Sequence, residues 1–465
     1  MKLKIVLFLL IFCKWSPTIA QSNFERSYLQ IGIKQYGVSV AELNGKFYVT
    51  SLSDDCGSCI STECLTQFDQ NGNVLHTNYF SNGTIDEIVG ELTPYKSGFI
   101  FPVTYDHFNM SNVRKEVAIK YVDSTGTEIW TAIISDSLKE FQNTKLVIGN
   151  NNLITGFADN LTSTGVLFFQ IDSAGNVTVI QNFSRIPDVY SVRDLVFKNN
   201  HFYVLGVGVL NGATKTFVRK VDMSGIVVDS SVYDYATEIS GIRIQSSDNG
   251  FIICGQSFDT LGFTQVCLMK IDSSGNVVWR KTLTTSNDNI PTSFDIFQNG
   301  RIYITGKTID QSNNVDLFII NADSIGNFLW KRDYCLPGPI GCVASAGNSI
   351  IESSDHSVVV CGQVQHTASY PKLYFLKADD NGLINFIDLE VQKNDKPFIS
   401  KQGTDSYVVN NMSGNFKVTV FDMNGRVIFS CTNTNEFDFR LPEGVYVYRI
   451  ECKSGIYTGD RKSVV

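Results

Sequence analysis

The chain has 465 residues, of which 43% are hydrophobic and 18% charged. That length and balance exclude a disordered chain and allow two or three domains with substantial cores. The net charge of −8, with no local run of Lys or Arg to offset it, argues against nucleic acid or an anionic membrane as partner.

Residues 1–20 read as a secretory signal: basic Lys2 and Lys4, an apolar run from Ile5 to Phe12, and Pro17-Thr18-Ile19-Ala20 as a cleavage site before Gln21. The run is too short to span a bilayer, and no later stretch is long and apolar enough to be a transmembrane helix. Bulky Phe12 before Cys13 fits a lipoprotein site poorly. Export permits disulfides among the remaining cysteines. Cys335 and Cys342 flank a Pro/Gly-rich loop and form one candidate pair, and Cys431 and Cys452, on two predicted strands, form another. Cys56, Cys59 and Cys64 crowd one predicted loop. A loop disulfide with one cysteine left over is favoured there over zinc, because no His lies nearby.

From residue 21 to 392 one unit recurs about every 50 residues: an apolar strand ends in Asp, two residues follow, then Gly, then a second strand. The seven copies are Asp69…Gly72, Asp123…Gly126, Asp172…Gly175, Asp222…Gly225, Asp272…Gly275, Asp323…Gly326 and Asp379…Gly382. Trp130, Trp279 and Trp330 stand at the same offset beyond the Asp in three of them. Asp accepts bonds from backbone N–H groups two residues on, and Gly supplies the positive φ, so each copy reads as a hairpin turn. A second hairpin precedes it, as in Gly250-Phe-Ile-Ile-Cys-Gly255, which gives four strands per unit. An all-β, seven-bladed propeller is the predicted fold. At these residues the chain resembles the loosely related propeller repeats of exported bacterial proteins. Quinoprotein repeats carry a longer turn and sialidase Asp-boxes a tighter one, so neither chemistry carries over.

Antiparallel four-stranded blades sort their loops by end. The Asp-x-x-Gly turns share the regular face, and the loops between second and third strands (the B–C loops) share the variable one, where binding residues are usually carried. Candidate ligand-binding residues on that face are Asp54, Asp106, His107, Asp159, Asp259, Asp310 and His366. Converging carboxylates could bind a cation such as calcium, or a cationic or sugar ligand. The alternative is that each Asp caps its own loop. The histidines lack metal-ligand spacing, no nucleophile elbow or phosphate loop is present, and no catalytic residue or cofactor is assigned.

Lys393-Asn-Asp-Lys-Pro397 reads as a linker, and 393–465 as a small C-terminal β-sandwich. Its elements are Val420-Phe-Asp-Met-Asn-Gly425-Arg-Val-Ile428, Leu441-Pro-Glu-Gly444-Val-Tyr446 and a closing Lys462-Ser-Val-Val465. They resemble the C-terminal sorting domain of the type IX secretion system of the Bacteroidetes group, although the family's usual Pro-Asn-Pro-like opening is missing. The resemblance implies a sorting signal that includes Gly425, Gly444, Tyr446 and Lys462, recognition by the type IX machinery, and a secreted or cell-surface location.

Two functions follow as expectations: a non-catalytic protein that binds an unknown protein or glycan, or a polysaccharide-acting hydrolase or lyase with carboxylates in the B–C loops. Two carboxylates about 5–9 Å apart in a deep aromatic funnel would favour the enzyme, and a shallow salt-bridged funnel would favour binding.

Overall fold

The computed structural model describes residues 23–384 and 398–463, apart from 29–33, 56–59, 81–85, 110–111, 135–140, 161–164, 184–189, 234–239, 284, 336–341, 367–369, 402–405, 411–415, 422–426, 434–435, 439–443 and 453–454. Beside some of these stretches only the strand backbone is described. The signal segment at 1–20 lies outside the described residues. The chain divides into two compact units, Met1–Asn385 and Phe386–Val465.

Each Asp-x-x-Gly turn folds as its chemistry dictates. At the first, Gly72 has φ +74° and donates its N–H to the Asp69 carbonyl at 3.1 Å. Asp69 Oδ1 accepts the N–H groups of Asn71 (2.9 Å) and Asn73 (2.7 Å), and Oδ2 accepts Asn73 Nδ2 at 2.8 Å. The carboxylate is thus consumed by its own turn, and the same pattern recurs at Asp172, Asp272 and Asp323. Such turns join third to fourth strands, and the four-stranded antiparallel sheets follow in chain order: 34–79, 86–134, 141–183, 190–233, 240–283 and 288–334, designated blades 1 to 6. In blade 2 the inner strand is split into Asp86–Val89 and Thr93–Tyr95, both paired with Gly98–Asn109.

Blade 7 departs from the expected pattern. Its first three strands are Cys342–Glu352, Val358–His366 and Lys372–Ala378, but its outer position is filled by Phe24–Tyr28, antiparallel to Lys372–Ala378 with Phe24 opposite Lys377. The seventh turn, Asp379–Gly382, therefore does not lead into the fourth strand of its own blade, which comes from the other end of the chain. A single sheet cannot protect both its faces, so closing the ring this way removes the last gap.

Seven buried clusters fill the seven blade interfaces. One of them joins Val40, Phe47, Val49 and Phe68 of blade 1 to Val359, Cys361, Leu373 and Phe375 of blade 7, with Phe24 among them. The ring is closed. The repeated tryptophans belong to these interfaces: Trp130, Trp279 and Trp330 on outer strands lie against Gly175, Gly326 and Gly382 in the turn of the following blade. The same turns are gripped through their carbonyls by the preceding blade. Tyr233 donates to Gly275 (2.9 Å), Tyr303 to Asp380 (2.8 Å) and Tyr334 to Gly382 (2.7 Å). The recurring turn is an inter-blade latch as well as a hairpin.

The C-terminal unit contains a four-stranded sheet in the order Val427–Thr432, Phe416–Phe421, Gly444–Cys452, Gly455–Ser463, and a three-stranded sheet of Phe398–Lys401, Ser406–Asn410 and Glu436–Asp438. The propeller followed by a small β-sandwich is thus the observed class. The expected Cys431–Cys452 disulfide is overturned. Cys431 is a free thiol, and the strand Phe416–Phe421 lies between the two cysteine-bearing strands. Two strand spacings, roughly 10 Å, exceed the ~7 Å reach between disulfide Cα atoms. Cys64 is buried in the strand Ile60–Phe68 and not in a loop, and its thiol points to the Thr62 carbonyl at 3.7 Å. Cys335 is disulfide-bonded, while the side chain of Cys342 and residues Cys56 and Cys59 lie outside the described residues.

Candidate functional site

Of the expected B–C carboxylates, the side chains of Asp159, Asp259 and Asp310 are described, and each is held by bonds of its own. Asp54, Asp106 and Asp159 lie within second strands, Lys46–Asp55, Gly98–Asn109 and Ile154–Asn160, one strand out from the axis. The side chains of Asp54, Asp106 and His107 are outside the described residues. Asp259 and Asp310 do stand at B–C turns, but each is spent on its own loop. Asp259 Oδ1 accepts the Leu261 and Phe263 N–H groups at 2.8 and 2.9 Å. Asp310 Oδ1 accepts those of Ser312 and Asn314, and its Oδ2 takes Asn314 Nδ2, which holds its carboxyl below the usual range. His366 ends its strand in a buried position.

Asp159 has a different task. It is 5% exposed and accepts Asn143 Nδ2 (2.9 Å), Ser191 Oγ (2.8 Å) and the Val192 N–H (2.7 Å), tying blade 3 to blade 4. Burial pushes its carboxyl pKa up against those bonds.

The axis is built by the inner strands, and each of these is irregular. A β-bulge interrupts the ladder at Gly37/Ser39, Gln142/Lys145, Val192/Asp194, Gly241/Arg243, Pro291/Ser293 and Gly347/Ser349, and blade 2 breaks its strand at Gly90–Leu92. Bulges re-aim side chains. Here they free inner-strand amides, which side chains of the neighbouring blade then satisfy. Ser39 Oγ accepts the Leu92 N–H (3.1 Å), Asp194 that of Ile244 (2.8 Å), Gln245 that of Ile296 (3.0 Å), Asp295 that of Glu352 (3.0 Å) and Ser349 that of Val40 (3.3 Å).

The first residue to rejoin the ladder after the bulge is Ser39, Ser293 and Ser349 in blades 1, 6 and 7, but Lys145, Asp194 and Arg243 in blades 3, 4 and 5. Glu91 occupies the break in blade 2. These four charges meet. Arg243 of blade 5 bonds Glu91 of blade 2 and approaches Asp194 at 3.8 Å, and Lys145 approaches Glu91 at 3.8 Å. A bond between blades 2 and 5, with two blades between them, can run only across the axis, so the channel is bridged at this level. Side-chain exposure is 14% for Arg243, 12% for Asp194, 24% for Lys145 and 39% for Glu91.

Burial opposes the Glu91 charge, yet Arg243 and then Lys145 hold its carboxyl below the usual range. Burial likewise opposes the Arg243 charge, but Glu91 and Asp194 keep it firmly cationic. Lys145 is lowered by burial first and by Arg243 next, with Arg193 a further contributor. Arg193 is the bulged residue of blade 4, is exposed, and makes no ion pair or hydrogen bond among the described residues. Arg193 also favours the ionised form of Asp159, so the three cations Lys145, Arg193 and Arg243 face three carboxylates, Glu91, Asp194 and Asp159.

Sequence reasoning did not find this cluster. The bulges that set Lys145, Arg193 and Arg243 off the regular ladder leave no mark in the alternation of the strands. No group of His, Cys, Asp and Glu among the described residues has the arrangement of a metal site. No helix among the described residues is long and apolar enough to cross a membrane.

No family model and no curated protein matches the chain. Among solved structures it is similar in fold to the polysaccharide lyase Uly1, at 10% identity over 76% of this chain and 91% of that one with a TM-score of 0.49. It is also similar to the phage phi92 endosialidase, at 9% identity over 83% and 72% with a TM-score of 0.44. A third similar structure is a protein of unknown function from Bacteroides caccae, at 12% identity over 65% and 94% with a TM-score of 0.37.

Proposed function

We propose that this chain is a secreted or cell-surface binding protein without catalytic activity, whose propeller presents a ligand-binding face and whose C-terminal unit directs export through type IX machinery. One observation carries the binding reading: the cross-ring pair of Arg243 and Glu91, flanked by Lys145 and Asp194, occupies the axial position where a propeller enzyme would need an open funnel. Glycosidic chemistry needs one carboxylic acid free to give a proton and one carboxylate free to attack or activate water. Among the described residues, Asp259 and Asp310 are held by their own turns and Asp159 by an inter-blade tie, which leaves none of these three for that work.

The test is direct. The full chain, incubated with a panel of neutral and acidic polysaccharides, is expected to retard at least one in affinity electrophoresis and to release no new reducing ends or unsaturated products. Product release abolished by Asp159→Asn, Asp259→Asn or Asp310→Asn would establish the enzyme instead.

The export reading is supported by the segments at 420–428, 441–446 and 462–465. Gly444, Tyr446 and Lys462 fall on the paired strands Gly444–Cys452 and Gly455–Ser463, and Gly425 lies outside the described residues. Deleting residues 394–465 is expected to stop secretion, and the secreted protein is expected to begin at Gln21. Secretion that survives the deletion rejects the sorting role.

A further inference from the structure

We infer that Asn211-Gly212, in the B–C turn of blade 4, is a site of spontaneous self-modification, where the asparagine passes through a succinimide to aspartate and isoaspartate, and that Asn44-Gly45 on the regular face is its counterpart. The inference does not depend on the binding reading.

Six Asn-Gly pairs fall on described residues, beginning at Asn44, Asn71, Asn211, Asn249, Asn299 and Asn381. All six asparagines are exposed, so access to water does not separate them. The geometry of the reaction does. The Gly backbone nitrogen attacks Asn Cγ, the N–Cγ bond forms, and the Cγ–Nδ2 bond breaks. The amide leaves as ammonia, its third hydrogen replacing the proton lost from the Gly N–H. Water then opens the ring, at Cγ to give aspartate or at the main-chain carbonyl to give isoaspartate with an extra methylene in the backbone. The glycine therefore needs an N–H free of other bonds, and the ring closes only with the Asn ψ at about −120°.

Two sites meet these demands. Asn44 and Asn211 come first in two-residue hairpin loops, between Leu43 and Lys46 and between Leu210 and Ala213, with φ +52° and +54°. Such a loop accepts type I′ or type II′, and type II′ combines positive φ at its first residue with ψ about −120°. Turning one peptide plane reaches the closing geometry while both strands stay paired. The Gly45 and Gly212 N–H groups have no acceptor among the described residues, and a Cβ at either glycine meets nothing within 4 Å.

The other four asparagines lack positive φ. Gly72, Gly300 and Gly382 donate their N–H groups to the carbonyls of Asp69 (3.1 Å), Phe297 (2.8 Å) and Asp379 (2.9 Å), and Gly250 is paired with Ser247 in its ladder. Tyr28 and Tyr334 hold the Gly72 and Gly382 carbonyls as well. At these sites the turn must open before the ring can close. Reaction at Asn211 adds a carboxylate to the variable face.

The full chain, folded or in guanidinium, is incubated at mildly alkaline pH and its peptides are mapped by mass spectrometry, with an isoaspartyl methyltransferase marking isoaspartate. In the folded chain Asn44 and Asn211 are expected to convert at least about tenfold faster than Asn71, Asn249, Asn299 and Asn381. In guanidinium the six rates are expected to converge. Asn199 comes first in the two-residue loop between Lys198 and His201 with φ +51°, but Asn200 follows it. It is expected to lag Asn211 in both states, because a side chain shields the attacking nitrogen. Equal rates at the six sites of the folded chain, an inert Asn211, or faster reaction at the bonded glycines overturns the inference. A ranking that persists unchanged in guanidinium also overturns it, since local sequence and not the turn would then set the rates.

Discussion

Gly212 and Gly326 have the same backbone, each with φ +78°, but different surroundings. A Cβ on Gly212 meets nothing within 4 Å, whereas one on Gly326 comes 2.6 Å from the Trp279 ring. Gly212→Ala therefore costs only the left-handed conformation, about 1–2 kcal/mol. Gly326→Ala adds displacement of a ring wedged between blades 5 and 6, for a total of about 3 kcal/mol. Chemical denaturation of both variants measures the difference, and equal losses would refute the latch role given to the turn. At this scale the sequence was informative about Gly326 and its Asp323, since turn chemistry is local. It was silent on why Trp stands at a fixed distance from the Asp, because the tryptophan serves the next blade's turn. The acidic residues on the variable face were legible as residues but not by role. Asp259 and Asp310 cap turns, Asp159 joins blades, and nothing local separates these cases.

Among the elements, Phe24–Tyr28 has the largest effect for its size. Its five residues complete blade 7, Phe24 stacks edge-on against Phe375 with ring centroids 5.0 Å apart, and Tyr28 bonds the Gly72 carbonyl in the turn of blade 1. Phe24 is 5% exposed, so Phe24→Ala is expected to cost about 3 kcal/mol. Removing residues 21–28 leaves Lys372–Ala378 as an unprotected edge, and the truncated protein is expected to melt well below the full chain and to self-associate. Light scattering and thermal unfolding check both, and a truncated protein that stays monomeric with an unchanged melt would show that the closure is dispensable. The sequence did not reveal this strand. A five-residue segment without a hairpin turn carries no repeat signal, and its partner lies at the far end of the propeller. The inner-strand bulges were hidden for a similar reason. Alternation shows which residues share a face, but an extra residue in the ladder reverses that reading downstream and has no signature of its own.

Across the whole molecule, the axial cluster and the turns respond differently to charge. Glu91→Gln leaves Arg243 and Lys145 without their shared carboxylate. Because Glu91 keeps 39% of its side chain in contact with solvent, the expected loss is about 1–3 kcal/mol, below that of a sealed pair, with a salt dependence weaker than in the native protein. Denaturation at low and high ionic strength reads both effects, and a stabilised variant would mean that the bridge is held for specificity alone.

Acid acts on the ring through two opposed sets of carboxyls. Asp172, Asp272 and Asp310 are held low by their Asn176, Asn276 and Asn314 partners, so the unfolded chain takes up these protons at a higher pH than the folded one. Their stabilisation is complete above the unfolded value near pH 4 and is lost as pH falls through the depressed folded values. Asp159 and Asp295 are raised by burial, so in the window above pH ~4 the folded chain binds their protons first and gains stability as pH falls toward that value. The melting temperature is therefore expected to hold or rise from neutral pH to about 4.5 and to drop steeply below about 4. Thermal unfolding followed by circular dichroism across that range separates the two sets. The double variant Asp172→Asn/Asp272→Asn should flatten the acid limb and leave the upper limb intact, and Asp159→Asn should do the reverse. An acid limb unchanged in the double variant would remove the turns as the origin of acid sensitivity and move it to carboxyls elsewhere in the ring.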